Sequence, residues 1–296
     1  SLYNLKQVEI LRGPNALFFG RGGTGGALNR VTKKGLIGED FARYQASVDS
    51  FDETALSFDG NATLSETAAL RLNAMAESLK NHRDFYEGNR FGVNPTLRLS
   101  FGDNTSLDLS YEYVNHERFI DRGIPTGADG RPVEEFDDIV FGDKNLNESD
   151  LLANLFRATV QHSFSDALKG NLTAFYGDYE KLYQNFYASD YDQVNSPNQV
   201  ELDGYVDTTD RQNTILSGNL IGHTVIFGTE YIDTSSDQDR WNAFWDTTMD
   251  DNEVFTVQRP LNLRNGVGVN ANGMTTTNDF TVDINDDTRV DLKVTS

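Results

Sequence analysis

The chain has no cysteine, which excludes a disulfide framework, a thiol nucleophile and a thiolate metal site. It has only four histidines (His82, His116, His162 and His223), far apart and in no H-x-x-x-H spacing, which argues against a histidine-based metal site. Basic residues are scarce: 25 Lys plus Arg against 46 Asp plus Glu leave a net charge of −21 over 296 residues. Such a surface does not replace the counterions around phosphate, so nucleic acid is not an expected partner. No run of about 18 apolar residues occurs, which excludes a transmembrane helix. Proline is scarce too, while Asn, Asp, Thr, Ser, Gly and Tyr are plentiful, a balance suited to strands and turns. The first residues, Ser1-Leu2-Tyr3-Asn4-Leu5-Lys6, have neither the basic start nor the apolar core of a signal peptide. The chain begins without methionine and inside a motif, so it is expected to be part of a longer one.

The motif runs from Val8 to Lys34. An apolar run, Val8-Glu9-Ile10-Leu11, meets the turn signal Arg12-Gly13-Pro14, and Ala16-Leu17-Phe18-Phe19 then enters a cluster of glycines at 20, 22, 23, 25 and 26. Gly20-Arg21-Gly22-Gly23-Thr24-Gly25 satisfies G-x-G-x-x-G, and the acidic pair Glu39-Asp40 follows. A dinucleotide fingerprint needs a helix opening on the glycines, so that amides and dipole meet a pyrophosphate. Here Ala27-Leu28-Asn29-Arg30-Val31-Thr32 alternates like a strand, and no Gly-Lys-Ser/Thr completes a P-loop. The glycines read as turns or sites of close backbone approach.

From about residue 41 the period is two. Ala42-Tyr44-Ala46-Val48, Leu56-Phe58-Gly60-Ala62, Leu70-Leu72-Ala74-Ala76, Val93-Leu97-Leu99-Phe101 and Leu107-Leu109-Tyr111-Tyr113 each alternate with polar residues. Phe156-Ala158-Val160, Leu172-Ala174-Tyr176, Thr214-Leu216-Leu220, Val225-Phe227-Tyr231 and Phe280-Val282-Ile284 continue the pattern, about ten strands in all. Their connections sort into two kinds. Leu64–Thr67, Gly102–Asn104, Ser165–Ala167 and Ile221–His223 are tight turns, whereas Lys80–Asn89, Arg118–Asp150, Ala188–Asp210 and Ser235–Thr277 are long; only Ser50–Glu53 breaks the alternation. One end of the sheet is therefore trimmed and the other carries loops, as in outer-membrane barrels. The polar face holds mid-strand charge (Arg71, Arg98, Asp108, Arg157), which a dry sandwich core would not accept unpaired. The apolar face is nearly free of charge, and an Arg or Lys at mid-membrane there would cost about 2–4 kcal/mol. Aromatic strand ends such as Phe101, Tyr111, Tyr113 and Phe164 fit interfacial girdles. The expected fold class is all-β: part of a transmembrane antiparallel β-barrel.

The stretch Val8-Glu9-Ile10-Leu11-Arg12-Gly13-Pro14, with Ala16-Leu17-Phe18-Phe19-Gly20, Gly25-Gly26-Ala27-Leu28-Asn29 and Val31-Thr32-Lys33-Lys34, closely resembles the end of the plug domain in TonB-dependent outer-membrane receptors of the ferric-siderophore class. Asp121-Arg122-Gly123-Ile124-Pro125, Gly130-Arg131-Pro132 and Phe141-Gly142 resemble a loop of the same receptors. The resemblance implies a barrel of about 22 strands with a plugged lumen. It divides the chain into residues 1–38, the end of the plug domain, and 39–296, the first part of the barrel. It also implies a location in the outer membrane of a Gram-negative bacterium, among lipid and lipopolysaccharide, with TonB as energy-transducing partner. The cargo would be a ferric-siderophore complex, with no covalently bound cofactor, no resident metal and no catalysis. The plug loops that contact ligand in the family lie upstream of Ser1.

Aromatics of the long connections supply flat area with a polar handle for a chelate. Those singled out are Phe85, Tyr86, Phe119, Tyr187, Tyr191, Trp241, Phe244 and Trp245, with Tyr183 and Phe186 beside them. Trp241 to Trp245 is the densest group. Arg122, with Arg118, Arg131 and Arg240, is a candidate for attracting an anionic complex or for pairing with neighbouring carboxylates. Glu9 and Arg12 are expected to bond each other or the barrel wall, and Gly13, Pro14, Gly20, Gly25 and Gly26 to shape plug turns. Rival readings are a haem, cobalamin or oligosaccharide cargo, a passive porin or adhesin barrel, and a soluble β-rich enzyme or lectin. The plug motif disfavours the porin, and the turn asymmetry disfavours the soluble protein.

Overall fold

Strands with one apolar and one polar face pair edge to edge where short turns join them, and this chain does so almost throughout. The computed structural model describes residues 2–12, 26–137, 139–142, 145–244, 253–256, 269–270 and 281–295, with side chains as far as Trp241. Gly13, Pro14, Gly20, Gly25, Trp245 and the Phe244 side chain lie outside that set. Strands β1 (Leu5–Arg12) and β2 (Gly26–Thr32) form a small antiparallel sheet of their own.

A continuous antiparallel meander follows: β3 (Phe41–Val48), β4 (Thr54–Ser65), β5 (Ala68–Lys80), β6 (Glu87–Phe101), β7 (Thr105–Phe119), β8 (Glu148–Ser165), β9 (Leu168–Asp190), β10 (Gln199–Gly222) and β11 (Ile226–Phe244). Short strands β12 (Glu253–Thr256) and β13 (Val269–Asn270) continue the sheet beside the start of β10. β14 (Thr281–Thr295) pairs with β11. The wall among the described residues is thus β3 to β11 and then β14, the ten strands that the alternation predicts.

The tight turns lie where expected, but two of the long connections are shorter than the sequence suggests. The expected loop 188–210 shrinks to residues 191–198, and the one from Ser235 begins only after Phe244. The reason is that ladder hydrogen bonds need no apolar face: pairing from Gly204 to Ile221 against β11 continues without a register shift long after the apolar alternation ends. A transmembrane strand needs roughly 9–11 residues, while β9 has 23 and β10 has 24. Their loop-end halves therefore stand clear of the bilayer.

Burial is inverted relative to a soluble sheet. The apolar face is open, with Leu56 at 60%, Leu172 at 59% and Phe227 at 65% exposure, whereas Arg71, Asn73, Asn94, Thr96 and Asp108 on the polar face are buried. The charges are paired across strands: Arg71 grips Asp59 with two 2.8 Å bonds, Glu77 meets Arg90 at 2.5 Å, and Arg98 faces Asp108 at 3.6 Å. Rows of rings, Tyr111–Phe156 at 4.7 Å and Phe156–Tyr176 at 6.4 Å, cross adjacent strands on the outer face. Pro95 sits inside β6 without an N–H to donate, and the ladder to β7 is interrupted there. The Asn94 side chain donates instead to the Tyr111 carbonyl at 2.6 Å.

Candidate functional site

Two places gather chemistry-bearing side chains: the seam between the β1–β2 sheet and the wall, and the loop end of β9–β11.

At the seam, Lys33 and Lys34 follow β2 directly, and strand alternation sends their side chains to different partners. The Lys33 ammonium donates to the Tyr3 carbonyl at 2.7 Å and to Asn73 Oδ1 at 3.1 Å, and it lies 3.1 Å from Asp59. Lys34 reaches Asp108 on β7 at 2.7 Å, and Arg71 donates to the Lys34 carbonyl at 3.2 Å. Asn61 then clasps the connecting segment, accepting from the Leu36 amide at 2.9 Å and donating to the Leu36 and Glu39 carbonyls. On the other side of the small sheet, Tyr3 donates to Glu112 at 3.2 Å and Asn4 to Asn94 at 3.4 Å. Burial, with the Glu112 carboxylate beside it, holds the Tyr3 hydroxyl protonated well above its ordinary range.

Glu9 departs from expectation. It accepts from Asn29 at 2.7 Å across the β1–β2 pair and from Gln7, rather than reaching Arg12 or the wall. Residues three apart on a strand point to opposite faces, so Glu9 and Arg12 cannot pair within β1. Gly26 lies opposite Arg12 in the ladder, and a Cβ there would strike the Leu11 carbonyl oxygen, so close backbone approach requires glycine at that position.

At the loop end, the segment between β7 and β8 folds onto β9 and β10. Val133, Phe136, Ile139 and Phe141 pack against Phe186, Val200 and Leu202, every one of them buried. Asn147 substitutes for a missing strand. Its Nδ2 donates to the Ile120 and Phe186 carbonyls at 3.0 and 2.9 Å, and its Oδ1 accepts from the Phe186 amide at 2.9 Å. Arg83, from the β5–β6 connection, ties this loop down by bonding Asp121 at 2.5 Å, the Ile139 carbonyl at 2.6 Å and the Asp137 carbonyl.

The apolar cluster takes the even-numbered side of β9 and β10, and the other side carries Tyr183, Asn185, Tyr187 and Tyr205. Over these the loop presents Arg122. Its guanidinium lies 4.0 Å from the Tyr187 ring centre and donates to Asn185 Oδ1 and the Tyr205 hydroxyl, both at 3.2 Å. Tyr183 stacks on Tyr205 with centroids 6.0 Å apart, and Arg240 covers the Tyr205 ring at 4.6 Å while gripping Asp207 with two 2.6 Å bonds. Tyr187 donates to Asp203 at 2.7 Å; partial burial and that carboxylate push its hydroxyl up to about 12. The result is an aromatic floor with one arginine neutralised and one, Arg122, in contact with no carboxylate among the described residues.

The structure thus brings together Arg122, Tyr187, Tyr183 and Arg240 from those singled out. It places the others elsewhere. Tyr187 and Trp241 are on strand extensions, not in loops. Trp241 is paired with Val206, so it points to the opposite face from Tyr205. Phe119 is buried, edge-on to Phe85 at 6.5 Å, and Phe186 belongs to the apolar cluster. Tyr191 packs on Phe136 at 5.1 Å, and Tyr86 lies in the β5–β6 connection. Sequence reasoning passed over Tyr205, Asn185, Asp203 and Asp207. The signal was present as alternation, Asp203-Tyr205-Asp207 against Tyr183-Asn185-Tyr187, but it lay where a loop was expected. Among the described residues no group of three His, Asp or Glu side chains is arranged to hold a metal ion.

An open antiparallel meander with an apolar outer face, a charged inner face and a small sheet clasped inside it is the wall of an outer-membrane β-barrel with part of its plug. Known proteins agree with that class. No protein-family model matches the chain. In sequence it is similar to the probable TonB-dependent receptor BfrD of Bordetella pertussis, 35% identical over 45% of this chain and 18% of that protein. It is likewise similar to the metal-pseudopaline receptor CntO of Pseudomonas aeruginosa, 34% identical over 58% of this chain and 24% of that protein. In structure, the ferric-catecholate import receptor Fiu of Escherichia coli K12, in its closed form, superposes with a TM-score of 0.68 at 16% identity, covering 99% of this chain and 52% of that one. The chain is therefore related to the TonB-dependent receptors and has their fold, and it spans about a quarter or less of the length of these curated relatives.

Proposed function

We propose that the protein of which this chain forms the plug end (1–38) and the first part of the barrel (39–296) imports a ferric siderophore across the outer membrane of a Gram-negative bacterium, driven by TonB. The observation that carries this reading is the clasp: Lys33, Lys34 and Asn61 bond the plug end to the inside of the wall, which suits a gated transporter and not an open pore. Two of the relatives named above, CntO and Fiu, are named as receptors for metal chelates, which supports a chelate as cargo and transport in place of catalysis. The Arg122–Tyr187–Tyr205 cluster at the loop end is the candidate for first contact with it: a cation backed by rings offers charge and flat area to an anionic, aromatic complex.

The test is a deletion and complementation experiment. Under iron starvation the protein should fractionate with outer membranes, and its loss should abolish growth on one ferric chelate from a panel, restored only when TonB is intact. Recovery in the soluble fraction, or chelate uptake independent of TonB, would overturn the proposal.

A further inference from the structure

The charges on the aromatic floor at the loop end do not all cancel within it. Asp207 is neutralised by the two bonds from Arg240. Two opposite charges on the same side of β9 and β10 remain without a counter-ion among the described residues. One is the Arg122 guanidinium, whose partners are Asn185, the Tyr205 hydroxyl and the Tyr187 ring. The other is the Asp203 carboxylate, which stands directly opposite Tyr187 in the ladder. It accepts only from the Tyr187 hydroxyl on Oδ2 and from the Gly204 amide on Oδ1, both at 2.7 Å.

Both groups are oriented, and both have bonding capacity left. Arg122 commits only Nη1, so Nε and Nη2 still have hydrogens to donate. A carboxylate offers about four acceptor sites, of which Asp203 uses two. The Tyr187 ring separates them: the guanidinium lies over its centre at 4.0 Å, and the carboxylate sits at its hydroxyl edge. They form no ion pair with each other, so neither charge is spent. A ligand bearing acid groups alone would satisfy Arg122 and bring like charge to Asp203, and one bearing amines alone would do the reverse. Only a ligand with both satisfies the floor, and a site discriminates best when the wrong ligand leaves one of its polar groups unpaired.

We propose that the loop-end floor is a zwitterion reader: the chelate it receives carries a protonated amine beside a carboxylate, the carboxylate on Arg122 and the ammonium on Asp203. Asp203 is then the specificity-determining residue that selects amino-acid-derived chelates over purely acidic ones. This rests on the transport reading above and adds to it the chemical class of the cargo.

The experiment uses the whole gene product purified from outer membranes and the ferric complexes of dopa, dihydrocaffeate and dopamine as probes. All three grip the metal through the same catechol and differ at the outward end, which carries acid and amine, acid alone or amine alone. Affinities are read by fluorescence quenching for the parent, Asp203→Asn and Arg122→Gln, each checked for the parent's protease resistance. Asparagine keeps an oxygen for the Tyr187 hydroxyl, so that variant removes the charge and not the bond. The parent should bind the dopa complex about tenfold or more tighter than either of the others, tenfold being the weight of a single charge-assisted contact. Asp203→Asn should abolish the preference over dihydrocaffeate and keep the preference over dopamine, and Arg122→Gln should do the converse. Equal affinities in the parent, a parent that binds none of the three, or variants that weaken all three alike overturn the zwitterion reader. The transport reading stands or falls separately, on the TonB-dependent growth described above.

Discussion

Asn147 is the residue on which the loop end turns. It is a polar side chain 2% exposed, yet three of its bonds go to backbone groups of Ile120 and Phe186. Asn147→Ala strands those groups, and each stranded buried group costs about 1–3 kcal/mol. The Phe186 amide should then exchange its hydrogen at least ~10-fold faster, as a difference of about 1.4 kcal/mol requires. Arg122 acts differently, through shape as well as charge. A lysine keeps the charge but loses the planar fork that reaches Asn185 and Tyr205 together. Arg122→Lys should therefore weaken chelate binding nearly as much as Arg122→Ala, by about 5- to 150-fold for an interaction of about 1–3 kcal/mol, measured by fluorescence titration. Tyr187 sets a pH limit. Its hydroxyl titrates at about 12 in the folded protein against 10.0 ordinarily, so the bond to Asp203 stabilises the site fully below pH 10 and is lost as pH rises through the folded value. Affinity should show no step from this group below pH 10, and Tyr187→Phe should leave the pH profile unchanged in that range.

The strands differ by what each face meets. On β9, Leu172 points outward and is 59% exposed, whereas its neighbour Thr173 points inward and meets Thr159 at 3.2 Å. An arginine at Leu172 should destabilise the folded barrel by about 2–4 kcal/mol, and one at Thr173 by much less; denaturant titration in lipid bilayers separates the two. The β7–β8 loop is held by a different force. Phe136 is fully buried between Phe141 and Tyr191, at 5.7 and 5.1 Å. Phe136→Ala leaves a cavity worth about 3–5 kcal/mol, enough to release the loop to limited proteolysis while the wall remains protected. Arg122 rides on that loop, so the same variant should also weaken chelate binding.

At the scale of the molecule, the β1–β2 sheet with Lys33 to Leu36 and the wall are joined, among the described residues, by ion pairs and amide clasps and not by an apolar core. Lys33→Met removes a donor from the Asn73 and Asp59 oxygens, but Asp59 keeps its two bonds from Arg71, so the cost is that of a lost charged hydrogen bond, about 1–3 kcal/mol. Cells with this variant should admit a large antibiotic such as vancomycin more readily than cells with the parent. An unchanged minimum inhibitory concentration would mean that the remaining clasp through Lys34 and Asn61 is sufficient.

Much of this architecture is written in the residue order. A period of two, tight turns at one end and charge confined to one face dictate an antiparallel membrane wall, because lipid tolerates only paired backbone and an apolar exterior. Arg122 and Tyr187 also stood out in the residue order, and the structure brings them together. Strand length above the membrane was not legible, since backbone pairing there continues without an apolar face to announce it. That misplaced Tyr187 and Trp241 in loops and hid Tyr205. Only the tertiary structure decided which aromatics share a face, that Glu9 serves its own sheet, and that Lys33, Lys34, Asp59 and Asp108 meet, because such contacts join residues distant in the chain whose positions depend on register.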